Sequence, residues 1–227
     1  MISARWGVMT VRLALLALLL LLPAQAPAAE RHGSDQPGRF DYYVLVLSWS
    51  PTYCAHEGDR RNDRQCEARR QHGFTLHGLW PQYLHGWPQE CWRGRRPWVP
   101  DHVIDRMRDI MPSKNLIIHE YREHGTCAGL SPADYYKAAR TLFERIDIPE
   151  QLETPDDPLS LSPEKIEREF LATNAWLRPE MISITCRKGA LLDIRVCFER
   201  DLSPRACGKN EASRECRVPS VAIPAAD

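Results

Sequence analysis

Two absences narrow the function of this chain before any motif is considered. Neither sign of charge is in excess, because 30 Lys and Arg residues stand against 30 Asp and Glu residues. Proteins that hold nucleic acid tightly by counterion release usually carry a strongly basic surface, so a tight architectural nucleic-acid binder is disfavoured. No two of the eight cysteines form a Cys-x-x-Cys pair, which argues against a structural zinc site.

Long apolar runs are also absent beyond the N-terminus. Leu13 to Leu22 is an unbroken run of Leu and Ala that follows two arginines and precedes a stretch rich in alanine. This pattern is typical of a secretory signal peptide, since a helix needs roughly 20 apolar residues to cross a bilayer. We expect residues 1–28 to be a signal peptide cleaved after Ala28, and residues 29–227 to form a single domain. An uncleaved N-terminal anchor is the alternative.

The cysteines indicate the compartment. All eight follow residue 28, at positions 54, 66, 91, 127, 186, 197, 207 and 216. An even number of cysteines behind a signal peptide indicates disulfide bonds in an oxidising compartment, although the count leaves their pairing open. No Asn-x-Ser/Thr site is present. We therefore expect a periplasmic or secreted protein with no membrane association in its mature form, and favour a bacterial periplasm.

The hydrophobic pattern predicts an α+β fold. Strands are predicted at 42–49, at 73–77 and on both sides of a turn at Lys188-Gly189, and helices are predicted around 103–110 and after Ser131-Pro132 and Ser162-Pro163. In the second strand, period two places Phe74 and Leu76 on one face, with Thr75 and His77 on the other. Residues 82–100 and 150–163 are predicted to be loops.

Two segments concentrate histidine with other reactive groups: Phe74-Thr75-Leu76-His77-Gly78-Leu79-Trp80-Pro81 and His119-Glu120-Tyr121-Arg122-Glu123-His124-Gly125-Thr126-Cys127. On a helix, Glu120 and His124 share a face, as do His119 and Glu123. We expect Gly125 to cap this helix at its C-terminus. A zinc protease motif would need the second histidine four residues after the first, whereas His124 follows His119 by five. A lone histidine on a strand is more often structural than catalytic. The catalytic interpretation therefore rests on the two segments together.

Together the two segments resemble the active-site motifs of the ribonuclease T2 family, which are acid transferase-type endoribonucleases. The first matches the family's Phe-Thr-x-His-Gly-Leu-Trp-Pro, and the second matches His-Glu-x-x-Lys-His-Gly-Thr-Cys at all but one position. The resemblance extends from about Tyr42 to Cys216 and is greatest to bacterial, ribonuclease I-like members. It implies a central antiparallel sheet packed with helices, and a catalytic domain over residues 29–227.

The resemblance also implies a role for each residue. His124 matches the general base that takes the proton of the ribose 2′-hydroxyl, and His77 the general acid that protonates the leaving 5′-oxygen. His119 matches a phosphate-binding histidine, Glu120 a carboxylate that supports the transition state, and Trp80 a residue that lines the site. The implied product is a 2′,3′-cyclic phosphate, and then a 3′-phosphate. RNA carries its own nucleophile, so no metal or cofactor is expected.

The resemblance further implies the disulfides Cys91–Cys127, Cys186–Cys216 and Cys197–Cys207, which leaves Cys54 to pair with Cys66 by elimination. The substrate is expected to be single-stranded RNA, bound with low base specificity by a monomer. Aromatic side chains commonly stack on such RNA. The candidates for this stacking are Trp49, Tyr53, Tyr83, Trp87 and Trp92, and for each of them a packing role is an equal alternative.

Glu123 departs from the family pattern, which has a lysine at this position. A carboxylate reverses the charge that would face the developing phosphorane, so the departure affects the expected rate more than the type of reaction. Alternatively, Glu123 pairs with His119 and keeps that ring protonated. Two rival functions also stay open: an RNA-binding protein of weak activity that retains the fold, and a secreted interaction module whose histidines are structural.

Overall fold

The computed structural model describes residues 35–58, 64–66 and 72–226. The expected signal peptide and its cleavage point at Ala28 lie outside these residues. The strands are β1 Tyr42–Trp49, β2 Phe74–Gln82, β3 Leu159–Leu161, β4 Ile182–Arg187, β5 Ala190–Phe198 and β6 Val221–Ile223. The α-helices are α1 Ser50–Tyr53, α2 Asp101–Met107, α3 Lys114–Glu120, α4 Thr126–Ala128, α5 Pro132–Phe143, α6 Pro163–Thr173 and α7 Lys209–Ala212. A π-helical turn, Tyr121–Gly125, joins α3 to α4.

The strands form one six-stranded sheet in the order β2-β1-β5-β6-β3, with β4 also paired to β5. Every pairing is antiparallel except that of β5 with β6, which is parallel at Ala190 and Ala222. The prediction of an α+β fold around an antiparallel sheet is confirmed, with this one parallel pairing added. Within the described residues, no helix combines the length and the apolar character that crossing a bilayer requires.

The predicted hairpin and helix starts are present. Lys188 and Gly189 have φ angles of 51° and 80°, the left-handed conformation that a two-residue type I′ turn requires at both positions. The hydroxyls of Ser131 and Ser162 accept hydrogen bonds from the backbone N–H groups three residues later, and a proline follows each serine. These caps satisfy backbone donors that a helix start leaves free.

The expectation that Gly125 ends its helix is wrong. The chain stays helical through Gly125, whose φ is −60°, and Gly129 provides the left-handed cap with φ 72°. The reason for a glycine at 125 is packing, because an added Cβ would lie 2.5 Å from the ring of Tyr121. The helical backbone therefore continues past His124, which lies in the π-helical turn.

A β-bulge shapes the part of the sheet that carries the first histidine. Val46 of β1 pairs with Gly78 and Leu47 pairs with Leu76, so His77 is an extra residue in β2. Phe74 and Leu76 pack on the main core, as period two predicted, and Leu79 is in that core too. Trp80 packs on the opposite face of β1, against Val44 and Val46. The bulge thus lets His77 and Trp80, three residues apart, project from one face.

All eight cysteines are disulfide-bonded in the structure, in the pairs Cys54–Cys66, Cys91–Cys127, Cys186–Cys216 and Cys197–Cys207. The second of these pairs ties the long loop before α2 to helix α4, next to the second histidine segment. No regular element occurs between Tyr83 and Pro100, as expected. The predicted loop at 150–163 was only partly right, because it contains strand β3, which pairs with β6.

Candidate active site

The bulged strand β2 and the helix that continues from α3 bring four predicted residues together. The ring centroid of Trp80 lies 5.3 Å from that of His77 and 5.0 Å from that of His124. Its indole Nε1 donates a hydrogen bond of 2.7 Å to Oε2 of Glu120. Trp80 therefore contacts both imidazoles and orients the carboxylate between them.

Glu120 is almost completely buried, with 1% of its surface exposed. Its Oε1 lies 3.4 Å from Nε2 of His77, and its Oε2 lies 4.0 Å from Nε2 of His124. The backbone of β2 approaches this carboxylate closely, because a Cβ added at Gly78 would lie 2.2 Å from Oε2. Only glycine leaves room for the carboxylate at this position.

His77 is oriented by two side chains that sequence reasoning missed. Ser48 Oγ lies 2.9 Å from Nδ1 of His77 and donates its hydrogen to Oδ1 of Asp193 at 2.8 Å. Since the single hydroxyl hydrogen is used on Asp193, the serine oxygen accepts the hydrogen of Nδ1. His77 then exchanges its second proton at Nε2, the nitrogen that faces Glu120. Along β5, Asp193 alternates with apolar residues, a pattern that normally indicates a solvent-exposed face, so the sequence did not reveal the contact of Asp193 with Ser48.

Burial and charge act in opposite directions on His77. Burial disfavours the imidazolium, but the adjacent Glu120 carboxylate, its hydrogen bond and the charge of Asp193 outweigh this effect. The pKa of His77 is consequently raised above its ordinary value. For Glu120, burial is the largest effect and favours the neutral acid, but the charge and hydrogen bond of His77, the charge of His124 and the hydrogen bond of Trp80 together outweigh it, and the pKa of the carboxyl is lowered. His77 and Glu120 therefore form an ion pair, with a buried carboxylate and a partly exposed imidazole, that favours a proton on the imidazole.

His124 behaves in the opposite way. Burial lowers the pKa of His124 to about 4, because the attraction of Glu120 does not compensate for desolvation and for the neighbouring charges of His77 and His119. Its Nδ1 is buried and has no hydrogen-bond partner in the described part of the chain, which leaves Nε2 to exchange a proton. Two imidazoles on either side of one indole are thus held in different protonation states, as an acid and a base require.

His119 and Glu123 lie apart from these four residues, in a cavity of about 290 Å³ that we call the His119 cavity. Its lining also includes Glu90, Trp92, Arg96 and Arg122. Among the described residues, no hydrogen bond or ion pair joins His119 to Glu123. Burial raises the pKa of the Glu123 carboxyl, the charge of Glu90 adds to this effect, and His119 opposes it. Glu123 therefore takes up a proton more readily than an ordinary glutamate as the pH falls.

The predicted aromatic candidates separate into two groups. Trp49 and Tyr53 are buried, and Trp49 donates its indole hydrogen to the carbonyl of Pro224. Tyr83 belongs with them, because it packs against the core, its hydroxyl donates a hydrogen bond to Asp35, and it lines neither the His119 cavity nor the cavity next to His124. Trp87 lines a second cavity, of about 180 Å³, together with Trp80 and His124, and we call it the His124 cavity. Trp92 lines the His119 cavity. Trp87 and Trp92 are accordingly the candidates placed to meet a bound base.

Comparison with known proteins agrees with this geometry. The profile of the Ribonuclease T2 family matches residues 40–207. A ribonuclease of Aeromonas hydrophila is 40% identical over 134 residues, which cover 59% of this chain and 58% of that protein. This chain therefore spans little more than half of that relative's length. Ribonuclease I of Escherichia coli strain K12 is 25% identical over 236 residues, covering 84% of this chain and 87% of the relative.

The fold is also shared with solved structures. A mutant of RNase MC1, a protein of bitter gourd seeds, has been crystallised in complex with 5′-UMP. Its structure superposes with a TM-score of 0.64 and 21% identity, covering 81% of this chain and 99% of that one. The predicted resemblance is confirmed, because the family profile matches well over half of the sequence. The chain belongs to the Ribonuclease T2 family.

Proposed function

We propose that this protein is an endoribonuclease that cleaves single-stranded RNA by transphosphorylation, with low base specificity and without a metal ion. The observation that carries this proposal is that two imidazoles, His77 and His124, contact one tryptophan, and their pKa values are shifted in opposite directions, up for His77 and down for His124. In-line attack by a ribose hydroxyl needs one group that accepts a proton and another that donates one. The relatives named as ribonucleases support RNA as the substrate.

The proposed reaction begins at His124. Its neutral Nε2 takes the proton of the 2′-hydroxyl, and the 2′-oxygen attacks the adjacent phosphorus. His77 gives the proton on its Nε2 to the 5′-oxygen as the bond from phosphorus to that oxygen breaks. The products are a 2′,3′-cyclic phosphate and a free 5′-hydroxyl. Water then opens the cyclic phosphate to a 3′-phosphate, with the two histidines exchanging roles.

The remaining residues support this proton transfer. Glu120 keeps the proton on His77, while the hydrogen bonds from His77 through Ser48 to Asp193 hold its ring in one orientation. His119 as an imidazolium would offset negative charge on the phosphorane. An ionised Glu123 would repel this negative charge. Because the pKa of Glu123 is raised, less of its carboxyl is ionised in acid solution, and the repulsion is weaker there.

We also propose that the protein acts outside the cytoplasm, in the periplasm or after secretion, as a monomer. Disulfide bonds persist in oxidising compartments, and all eight cysteines are paired.

The product test addresses the proposed reaction directly. We expect purified protein to cleave homopolymer RNA in excess EDTA, to leave 2′,3′-cyclic phosphate ends, and to leave DNA intact because DNA lacks the 2′-hydroxyl. Mass spectrometry of the fragments identifies the ends. An RNA-binding protein without turnover would shift RNA on a native gel without producing ends. Loss of cleavage in EDTA that magnesium or zinc restores would rule out the metal-independent reaction.

The pH dependence follows from the two histidines. Below about pH 4 His124 becomes protonated and can no longer accept the proton of the hydroxyl. Above the raised pKa of His77, that ring loses the proton it must donate. We therefore expect kcat/KM to rise through about pH 4, to stay high in mildly acidic solution, and to fall only above the ordinary histidine range near 6.5. An acidic limb centred near neutral pH would contradict the lowered pKa of His124.

A further inference from the structure

The His124 cavity contains a buried arginine for which the mechanism above has no role. Arg195 lies on β5, opposite Val46 of β1 and Ser183 of β4. Its side chain lines the cavity together with Trp80 and His124, and its guanidinium lies over the indole of Trp80, 5.2 Å from the ring centroid. A permanent positive charge thus stands beside the proposed general base.

The hydrogen bonding of Arg195 is incomplete. Only 7% of the residue is exposed, and its Nη2 lies 3.2 Å from Oδ2 of Asp193. The same carboxylate also accepts hydrogen bonds from Ser48 and Thr185, so Arg195 shares it with two other donors. The Nε of Arg195 is buried and has no partner among the described residues. Because unpaired buried donors on a charged group are costly, this arrangement favours an anion as an additional partner.

The other charges of the cavity permit an anion. A second guanidinium, that of Arg214, lies over the indole of Trp87 at the same cavity. The carboxylate of Glu211 also lines it, but its Oε2 already accepts hydrogen bonds from the Tyr42 hydroxyl and the backbone N–H of Gly208. Two guanidiniums and one carboxylate therefore line the cavity, and the carboxylate already has hydrogen-bond partners of its own.

We infer that Arg195 binds a phosphate of the RNA chain in the His124 cavity, beside the residue that activates the 2′-hydroxyl. A guanidinium matches a phosphate geometrically, since its N–H groups can bond two oxygens at once. This inference rests on the proposed function for the identity of its ligand. The phosphate is either the one that is cleaved or its neighbour along the chain, and kinetics distinguish the two.

The test compares the wild-type protein with Arg195→Gln and Arg195→Lys. Arg205→Gln is the matched control, because Arg205 also stacks on an aromatic ring, that of Tyr42, but does not line the cavity. We expect Arg195→Gln to reduce kcat/KM for an RNA oligonucleotide by roughly 10- to 100-fold, as loss of a charged hydrogen bond does. Arg195→Lys should recover part of this loss, and Arg205→Gln should stay close to wild type. A fall in kcat indicates the cleaved phosphate, and a rise in KM alone indicates its neighbour.

Salt dependence separates phosphate binding from a structural role. Removing one phosphate contact on a single strand should reduce the slope of log affinity against log salt by about 0.7, whereas a packing defect leaves that slope unchanged. Thermal melting identifies variants that fail to fold. The wild-type protein gives an independent measurement, because titration with inorganic phosphate should shift the nuclear magnetic resonance signal of the Arg195 Nε–H.

The outcomes separate this inference from the proposed function. Cleavage of RNA by the wild-type protein, with no response of the Arg195 signal to phosphate and an unchanged salt slope in folded Arg195→Gln, would overturn the role of Arg195 alone. A phosphate-dependent shift of that signal in a protein that cleaves no RNA would support the anion site and refute the ribonuclease. Weakened phosphate binding in Arg195→Gln, together with RNA cleavage by the wild type, supports both.

Discussion

His77→Ala and His124→Ala are each expected to lower kcat for RNA by about 10²-fold or more, the usual loss when a general acid or base is removed. The reason is that each histidine holds one of the two protonation states that the reaction needs, His77 charged and His124 neutral. Single-turnover rates of the purified variants on one oligonucleotide measure the loss. Near-full activity of either variant would refute the role given to that residue.

The two roles are distinguished by a substrate with a better leaving group. A ribonucleoside 3′-(4-nitrophenyl phosphate) releases a stable anion that needs no proton, so a general acid contributes little to its cleavage. We expect His77→Ala to regain most of its activity on this substrate, and His124→Ala to stay slow because the 2′-hydroxyl must still be deprotonated. If His124→Ala were the variant that recovers, the assignment of acid and base would be reversed.

Glu120→Gln is expected to have the second large effect, a loss of kcat/KM of about 10²-fold near neutral pH, because His77 without its proton no longer acts as a general acid. The amide keeps the shape of the side chain but not its charge. Of the groups that act on His77, burial and Arg195 would then disfavour its proton, and only Asp193 would favour it. The alkaline limb of the pH profile should therefore move to lower pH, which steady-state kinetics from pH 4 to 9 would show.

Glu123→Gln is the matched control, since it makes the same change three residues later on the same helical segment. Glu123 lies in the His119 cavity and makes no direct contact with His77 or His124 in the described structure. We expect the alkaline limb of the Glu123→Gln variant to coincide with that of the wild type. Its kcat/KM should fall by far less than that of Glu120→Gln. An equal loss of kcat/KM in the two variants would mean that any negative charge on this helical segment supports the reaction, and that the ion pair of Glu120 with His77 has no special role.

Several elements could be predicted from the sequence because their signals lie within a few adjacent residues. The apolar run of β1, the Lys188-Gly189 turn and the Ser-Pro helix starts each encode their own local geometry. The short strands β3 and β6 were missed because three residues show no periodicity. Gly125 was misinterpreted because a glycine can serve a left-handed backbone or close packing, and the sequence does not distinguish the two.

By itself the sequence determined the α+β class and the residue types of the site, since two short motifs contain His77, Trp80, Glu120 and His124. Only the tertiary structure determined how these residues are oriented, which groups they contact and how their pKa values are shifted. The bulge that turns His77 and Trp80 to one face depends on the pairing of β2 with β1, and Asp193 reaches Ser48 from a strand far along the chain. The opposite pKa shifts of the two histidines arise from burial and from their distances to Glu120. These are properties of three-dimensional packing, because desolvation and Coulomb interactions depend on separation in space rather than in sequence.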